Sequence, residues 1–210
     1  MTVTALQRLS KTKTRVTIDE TDTLVLSPSD VARYDLQEGE EIPEDTWNEL
    51  WKELRSRALR KSGMLLQDMD YSVKGLSDKL KKAGFPQQII DGVVEDLIDA
   101  GYLDDRRFAA AYLRSHIESR SLLRVKMDLR AKGISDEILE ETLNSLEEEE
   151  ENAASKEEKQ ILRLLEKKHY DPDLPYEERQ KILASISRKG YMPDAVYGAV
   201  ERLKNGAKED

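Results

Sequence analysis

One segment of this chain occurs three times, and each copy is centred on a glycine: Gly84, Gly133 and Gly190. Aligning these glycines brings mostly apolar residues into register four positions before each glycine and 5, 6, 9, 10 and 13 positions after it. This spacing predicts a helix that ends at the glycine and a second amphipathic helix after it. The glycines are 49 and 57 residues apart, a period typical of stacked helical modules. The sequence therefore predicts an all-α fold of three tandem three-helix repeats in an elongated, curved array.

The beginning of the chain has a different pattern. Val16 and Ile18 alternate with polar residues, and the segment Leu24–Leu26 resumes an extended pattern after a possible turn. These features predict a small N-terminal β-hairpin. Ser29 is suited to cap a short helix that runs to Tyr34.

The pattern divides the chain into five parts. We expect an N-terminal extended or hairpin segment (1–43), three repeat modules (44–103, 104–151 and 152–204) and a disordered tail (205–210). Glu147 to Glu151 form an unbroken acidic run, and because like charges at this density repel, we expect a frayed helix or mobile joint there. In the helix after Asp105, the spacing predicts a buried face; its members would be Phe108, Ala111, Tyr112 and Ser115.

Composition suggests where such a chain works. It has 210 residues, 38% of them hydrophobic and 37% charged, and no cysteine, which excludes disulfides and thiolate metal sites. The start has no apolar signal core, and no run of 18 apolar residues occurs. We therefore expect a soluble, cytoplasmic protein that does not enter a membrane.

The net charge of −9 is unevenly distributed. Residues 106–132 carry +6, against −7 in the residues before them and −8 in those after. We call seven cations of this region the basic belt: Arg106, Arg107, Arg114, Arg120, Arg124, Lys126 and Arg130. The belt is either a solvated helix face or a surface for phosphates or an acidic protein.

Groups that would do chemistry are scarce. The two histidines, His116 and His169, are far apart in sequence, and no Gly-rich phosphate loop or Gly-x-Ser-x-Gly motif occurs. Asp104 and Asp105 are adjacent, so on a helix their carboxyl groups would diverge by about 100°. We therefore expect no catalytic residue, no metal site and no cofactor: a binding protein and not an enzyme.

Two motifs resemble those of a known family. The run Gly101-Tyr-Leu-Asp-Asp-Arg-Arg-Phe-Ala-Ala-Ala-Tyr-Leu-Arg114, together with Leu129-Arg-Ala-Lys-Gly-Ile-Ser-Asp-Glu137, is similar to the RecX family of bacterial RecA regulators. The resemblance covers about residues 74–210 and is strongest in the second repeat. Two departures are the overall acidity and Ser119-Arg-Ser-Leu122, where many members have a basic residue with glycine.

The resemblance implies a partner. It predicts a monomeric, non-enzymatic protein that binds the RecA nucleoprotein filament, reaches single-stranded DNA through that filament, and limits filament growth, ATP hydrolysis, strand exchange and the SOS response. It also implies that Tyr102, Leu103, Phe108 and Tyr112 pack in the scaffold, which leaves the basic belt as the candidate contact surface. Two alternatives stay open: a nucleic-acid binder that needs no RecA, and a helical-repeat scaffold for unrelated proteins.

Overall fold

The computed structural model describes residues 1–117, 119–149 and 153–206. In these residues it has three strands and ten helices: β1 (Val3–Arg8), β2 (Thr14–Ile18), β3 (Asp22–Leu26), α1 (Pro28–Arg33), α2 (Glu44–Asp68), α3 (Val73–Ala83), α4 (Gln87–Asp99), α5 (Asp105–His116), α6 (Leu122–Ala131), α7 (Asp136–Glu149), α8 (Ala153–Lys167), α9 (Tyr176–Ser187) and α10 (Pro193–Gly206). The prediction of a mainly helical fold with a small N-terminal β element is confirmed.

The N-terminal β element is larger than predicted. The expected hairpin is β2 and β3, with Val16 opposite Leu24, and β1 adds a third antiparallel strand beside β2. Strand β1 was not predicted because the alternation of apolar and polar residues along it is weak. The short helix α1 is capped by Ser27 and not by Ser29, since the Asp30 amide donates to the Ser27 hydroxyl at 3.1 Å.

The first compact unit, Met1–Asp104, contains the sheet and α1 to α4. Its apolar residues form one cluster that includes Val16 and Leu24 from the sheet and Leu50 and Leu76 from the helices. The sheet and the helices therefore share a single core, and burial of apolar area is what holds the strands to the helices.

The second compact unit, Asp105–Asp210, has two clusters of buried residues in its described part. Helices α5 to α7 surround one cluster, which includes Val125 and Leu129. Helices α8 to α10 surround the other, which includes Ile161 and Ile186. Each set of three helices thus buries its own apolar faces. The module boundaries given above stay a prediction.

The predicted buried face of α5 was wrong by one position. Ala109 and Leu113 are fully buried, whereas Ala111 and Ser115 are exposed. Phe108 and Tyr112 lie at the edge of the core, half-buried, with their ring centroids 6.1 Å apart. The sequence pattern placed these large aromatic residues at the centre of the apolar stripe, but small Ala109 allows closer helix packing there.

Tyr102 also differs from its expected packing role, because 65% of it is exposed, whereas Leu103 is buried as expected. The glycine ends are confirmed: Gly84, Gly133 and Gly190 have φ of 101°, 90° and 93°, the left-handed region that favours glycine at a helix end.

Two predictions lie largely outside the described residues. The acidic run expected to be a mobile joint is helical up to Glu149, and 150–152 are not described. The expected disordered tail falls mostly on 207–210, which are not described either.

Candidate nucleic-acid interface

The belt residues of α5 lie on its exposed surface. Arg106 forms an ion pair with Glu141, and this pair connects α5 to α7. Arg107 and Arg114 are exposed and lie seven residues apart, on the same side of the helix.

The belt residues of α6 point in two directions. Lys126 and Arg130 face acidic residues of α7: the Lys126 Nζ lies 3.5 Å from Glu140 Oε1, and the Arg130 Nε lies 2.6 Å from Asp136 Oδ1. Lys126 keeps only 26% of its side chain exposed. These two cations are matched to carboxylates within their own unit.

Arg120 and Arg124 share a different partner, Asp128. Arg120 Nη1 lies 2.7 Å from Asp128 Oδ2 and donates to the Tyr112 hydroxyl at 3.2 Å, while Arg124 Nε lies 3.2 Å from Asp128 Oδ1. The belt is therefore not one continuous surface. The fold brings Arg120 and Arg124 together and turns Lys126 and Arg130 towards α7.

Arg120 and Arg124 also line a concave region of the second unit, which we call the basic cleft. Its volume is about 800 Å³, and fourteen residues line it. Six of them are cations: Arg120, Arg124, Arg163, Lys167, Arg188 and Lys189. None of the described lining residues is acidic. A cleft lined by charges of one sign focuses the electrostatic field and attracts anions.

Polar contacts join the two walls of the cleft. Ser121 caps α6 by accepting from the Arg124 amide at 3.3 Å and also donates to the Lys189 carbonyl at 2.9 Å. Gly190 packs against this serine so closely that a Cβ on it would lie 2.6 Å from Ser121 Oγ. The glycine thus serves two purposes, a left-handed helix end and a close approach between helix sets.

Gln160 of α8 makes the second connection. Its buried side-chain amide donates to the Ile117 carbonyl and accepts a hydrogen bond from the Tyr191 hydroxyl at 2.8 Å. Burial raises the pKa of Tyr191, and the nearby Glu157 raises it further. Burial also raises the pKa of the Glu157 carboxyl. The base of the cleft is therefore a partly dehydrated polar cluster.

Four cations of the cleft were not predicted from the sequence: Arg163, Lys167, Arg188 and Lys189. These cations lie after Glu147–Glu151, in a region whose net charge is −8. Because acidic residues outnumber basic ones there, a count of charges along the chain does not reveal a basic site. Two local signals were available. Arg163 and Lys167 are four residues apart on one helix, and Arg188-Lys189 comes directly before the third repeat glycine.

Metal-ligand clusters and membrane-spanning helices were both sought in the part of the chain that the structure describes. No group of three or more His, Cys, Asp or Glu residues in the described ranges is placed to hold a metal ion. His116 stacks on Tyr112 with ring centroids 4.0 Å apart. Of the helices described, none is long and apolar enough to cross a membrane.

Comparison with known proteins identifies relatives. Residues 104–143 match the family model of the second three-helix domain of RecX. A protein named Regulatory protein RecX from Clostridium perfringens is 27% identical over 165 residues, which cover 78% of this chain and 75% of that relative. The protein of the same name from Treponema pallidum is 36% identical over 105 residues, 49% of this chain and 61% of the relative.

Two solved structures have a similar fold. A crystal structure of a regulatory protein RecX superposes with a TM-score of 0.62 at 18% identity and covers 95% of this chain and 98% of its own. The crystal structure of RecX from Lactobacillus salivarius superposes with a TM-score of 0.60 at 22% identity and covers 73% of this chain and 98% of its own. At these identities the structures establish the fold.

Proposed function

We propose that this chain is a member of the RecX family and a non-enzymatic regulator of RecA. In this proposal a monomer binds the RecA filament on single-stranded DNA in the cytoplasm. It limits filament growth, and thereby ATP hydrolysis, strand exchange and the co-protease activity that starts the SOS response.

One observation carries the proposal. The segment that matches the second three-helix domain of RecX, residues 104–143, contains all seven cations of the basic belt. Motif residues that form the core of this domain, such as Ala109, Leu113 and Leu129, are buried and unavailable to a partner. Its exposed cations are the groups that a partner with acidic surface or phosphate groups meets first.

The repeated helix sets suit a filament. A filament presents the same surface at every subunit, so several similar modules in one chain favour several similar contacts. Once one module is bound, the effective concentration of the next module near its own contact surface is raised. Several weak contacts can therefore give strong binding of the whole chain. Modules 44–103, 104–151 and 152–204 are part of this proposal.

The primary test is ATP hydrolysis by the cognate RecA on single-stranded DNA, with this protein titrated in. We expect hydrolysis to fall at substoichiometric or near-stoichiometric ratios, and the chain alone to hydrolyse no ATP. RecA turnover that stays unchanged at excess protein would support the scaffold alternative and overturn the proposal.

A charge-reversal pair tests the role of the belt. Arg107→Glu with Arg114→Glu should abolish inhibition, because both cations lie on the same exposed side of α5. Exposed charges seldom change stability by more than about 0.5 kcal/mol, so thermal unfolding should shift little. Lys74→Glu with Lys81→Glu is the matched control, since these exposed residues lie seven apart on α3 of the first unit. Inhibition retained by the α5 pair would make that side of the belt a solvated face.

A further inference from the structure

We propose that the basic cleft of the second unit binds the phosphate backbone of a single-stranded nucleic acid directly, without RecA. This inference deepens the proposed function and rests on it for the biological setting alone. It assigns a strand-binding site to residues of the third helix set that the belt does not include, namely Arg163, Lys167, Arg188 and Lys189.

The cleft has an excess of positive charge. Asp128 pairs with Arg120 and Arg124, and when it is counted the cleft still carries a net charge of +5. Arg163 and Lys167 are exposed and make no ion pair with a carboxylate in the described part of the chain. The chain as a whole has a net charge of −9, so this concentration of cations is local. Such a site gains free energy when it replaces the condensed counterions of a nucleic acid.

The size and shape of the cleft suit a single strand. A concave site of about 800 Å³ lies within the size range of ligand-binding pockets and is small beside a rigid duplex. Arg120 and Arg124 come from one wall, and Arg163 and Lys167 from another. Cations on both walls can meet phosphates of a flexible single strand that bends into the cleft, as in grooves that follow a strand.

The apolar lining residues favour a strand over an acidic protein segment. Leu123 and Met127 are 42% and 51% exposed, and they lie in the cleft among the cations. A single strand presents a phosphate at every nucleotide and an apolar base face between phosphates, so it satisfies both kinds of lining residue. Among the described lining residues the one aromatic, Tyr191, is buried, so phosphate contacts and not base stacking should carry the binding, and these are independent of sequence.

The cleft is formed before any ligand arrives. The Ser121 hydroxyl donates a hydrogen bond to the Lys189 carbonyl, and the Gln160 side chain is hydrogen-bonded to both Ile117 and Tyr191. These hydrogen bonds fix both walls in the free protein. A preformed site spends less of its binding energy on ordering its own side chains and loops.

The test is fluorescence anisotropy of a labelled oligothymidylate of about 20 nucleotides, titrated with the full chain in the absence of RecA. We expect binding at about 50 mM salt that weakens strongly towards 200 mM. Arg163→Glu with Lys167→Glu should weaken binding about tenfold or more and reduce the slope of log K against log salt by about 1.4, or 0.7 for each lost contact.

Lys181→Glu with Lys204→Glu is the matched control, because it makes the same charge change at exposed residues of the second unit that lie outside both the belt and the cleft. This pair should leave the salt slope nearly unchanged. The neutral pair Arg163→Gln with Lys167→Gln should also weaken binding, and it keeps the test valid if the reversal disturbs folding. Equal losses in the cleft and control pairs would overturn the inference, because the effect would follow the charge of the whole unit.

An oligoglutamate of equal charge is the competitor. Displacement of the oligothymidylate by oligoglutamate at equal or lower concentration would assign the cleft to an acidic protein segment and overturn the inference, as would no binding at low salt. Inhibition of RecA is measured separately. A chain that binds the strand and leaves RecA unaffected would overturn the proposed function while the strand site stands.

Discussion

The two compact units bury their apolar residues in different ways. In the first unit one cluster extends from Val16 of the sheet to Leu97 of α4, so sheet and helices depend on the same core. In the second unit two clusters are described, and Ser121 and Gln160 connect their helix sets through hydrogen bonds. Apolar burial thus determines the first unit, while directional polar contacts determine how the basic cleft is formed in the second.

The same repeat position illustrates this difference. Gly84 and Gly190 both end a helix with a left-handed conformation. At Gly84 an added Cβ would lie 2.7 Å from the Val25 Cβ of the sheet, and at Gly190 it would lie 2.6 Å from the hydroxyl of Ser121. The repeat glycine therefore allows a close backbone contact in both units. In the first unit the contact is with an apolar strand residue, and in the second it is with a polar residue that caps a helix.

The largest effect is expected for Gly84→Ala. Alanine there adopts a left-handed conformation, which costs about 1–2 kcal/mol, and meets Val25, which adds about 1–3 kcal/mol. We expect a loss of about 3 kcal/mol from the free energy of unfolding of the first unit. Both tryptophans, Trp47 and Trp51, lie in this unit, so tryptophan fluorescence during urea unfolding measures it alone.

Gly101→Ala is the control for this substitution. Gly101 has φ of 73° and no atom within 4 Å of an added Cβ, so only the conformational cost of about 1 kcal/mol remains. Equal losses of unfolding free energy at Gly84 and Gly101 would mean that the sheet moves to accommodate the new methyl group. The close packing of sheet and helices would then not distinguish the first unit from the second.

The second effect concerns the polar connection. Gln160→Leu leaves the Ile117 carbonyl and the Tyr191 hydroxyl without their partner, which should destabilise the second unit by about 2 kcal/mol. Tyr191→Phe removes one of the two bonds and should cost about 1 kcal/mol. Amide hydrogen exchange should become faster in α8 and α10, with protection of α3 and α4 unchanged.

Gln87→Leu, at an exposed position of α4, is the matched control, with an expected change within about 0.5 kcal/mol. If Gln160→Leu had as small an effect, water would replace the connection at little cost, and the walls of the cleft would not depend on it.

These positions also mark how far the sequence could predict the structure. Gly84, Gly133 and Gly190 were predictable because a helix end in the left-handed region selects glycine locally. The contacts of Gln160 were not, since they join residues 43 and 31 positions away and no local pattern encodes them. The same reason explains the cleft, whose cations come from separate helices.

Two other differences are local. Strand β1 was not predicted because its apolar and polar residues alternate only weakly, and the strand is stabilised by its pairing with β2. On α5 the predicted buried face included the aromatic residues Phe108 and Tyr112, whereas the fully buried residues of this helix are Ala109 and Leu113. Counting charges grouped seven belt cations that the fold distributes over different faces.

The third effect depends on pH and belongs to the first unit. Two hydrogen bonds from Arg57, of 2.7 and 2.8 Å, lower the pKa of Asp30 from 3.8 to about 2. A lowered pKa means that ionised Asp30 stabilises the folded state above pH 4, and this contribution disappears as the pH falls towards 2. We expect a loss of about 1.5 kcal/mol from this residue over that range, measured by tryptophan fluorescence.

Asp30→Asn should show this loss already at neutral pH and a flatter dependence below pH 4. Asp91→Asn, an exposed residue of α4, controls for removal of one negative charge from the same unit. If Asp30→Asn kept the full acid dependence of the native chain, other carboxyl groups would carry the effect.

The smallest effect has the opposite sign and belongs to the second unit. Burial raises the pKa of Glu157, so the folded state holds this proton more tightly than the unfolded chain and ionised Glu157 opposes folding at neutral pH. Since part of the carboxyl group remains hydrated, Glu157→Gln should stabilise the unit by only about 0.5 kcal/mol at pH 7 and by nothing near pH 4. Because Glu157 contributes to the raised pKa of Tyr191, the same variant should lower that pKa, which NMR of labelled tyrosine measures. Glu166→Gln, exposed on the same helix, should do neither, and a lowered Tyr191 pKa in that control would assign the shift to the charge of α8 as a whole.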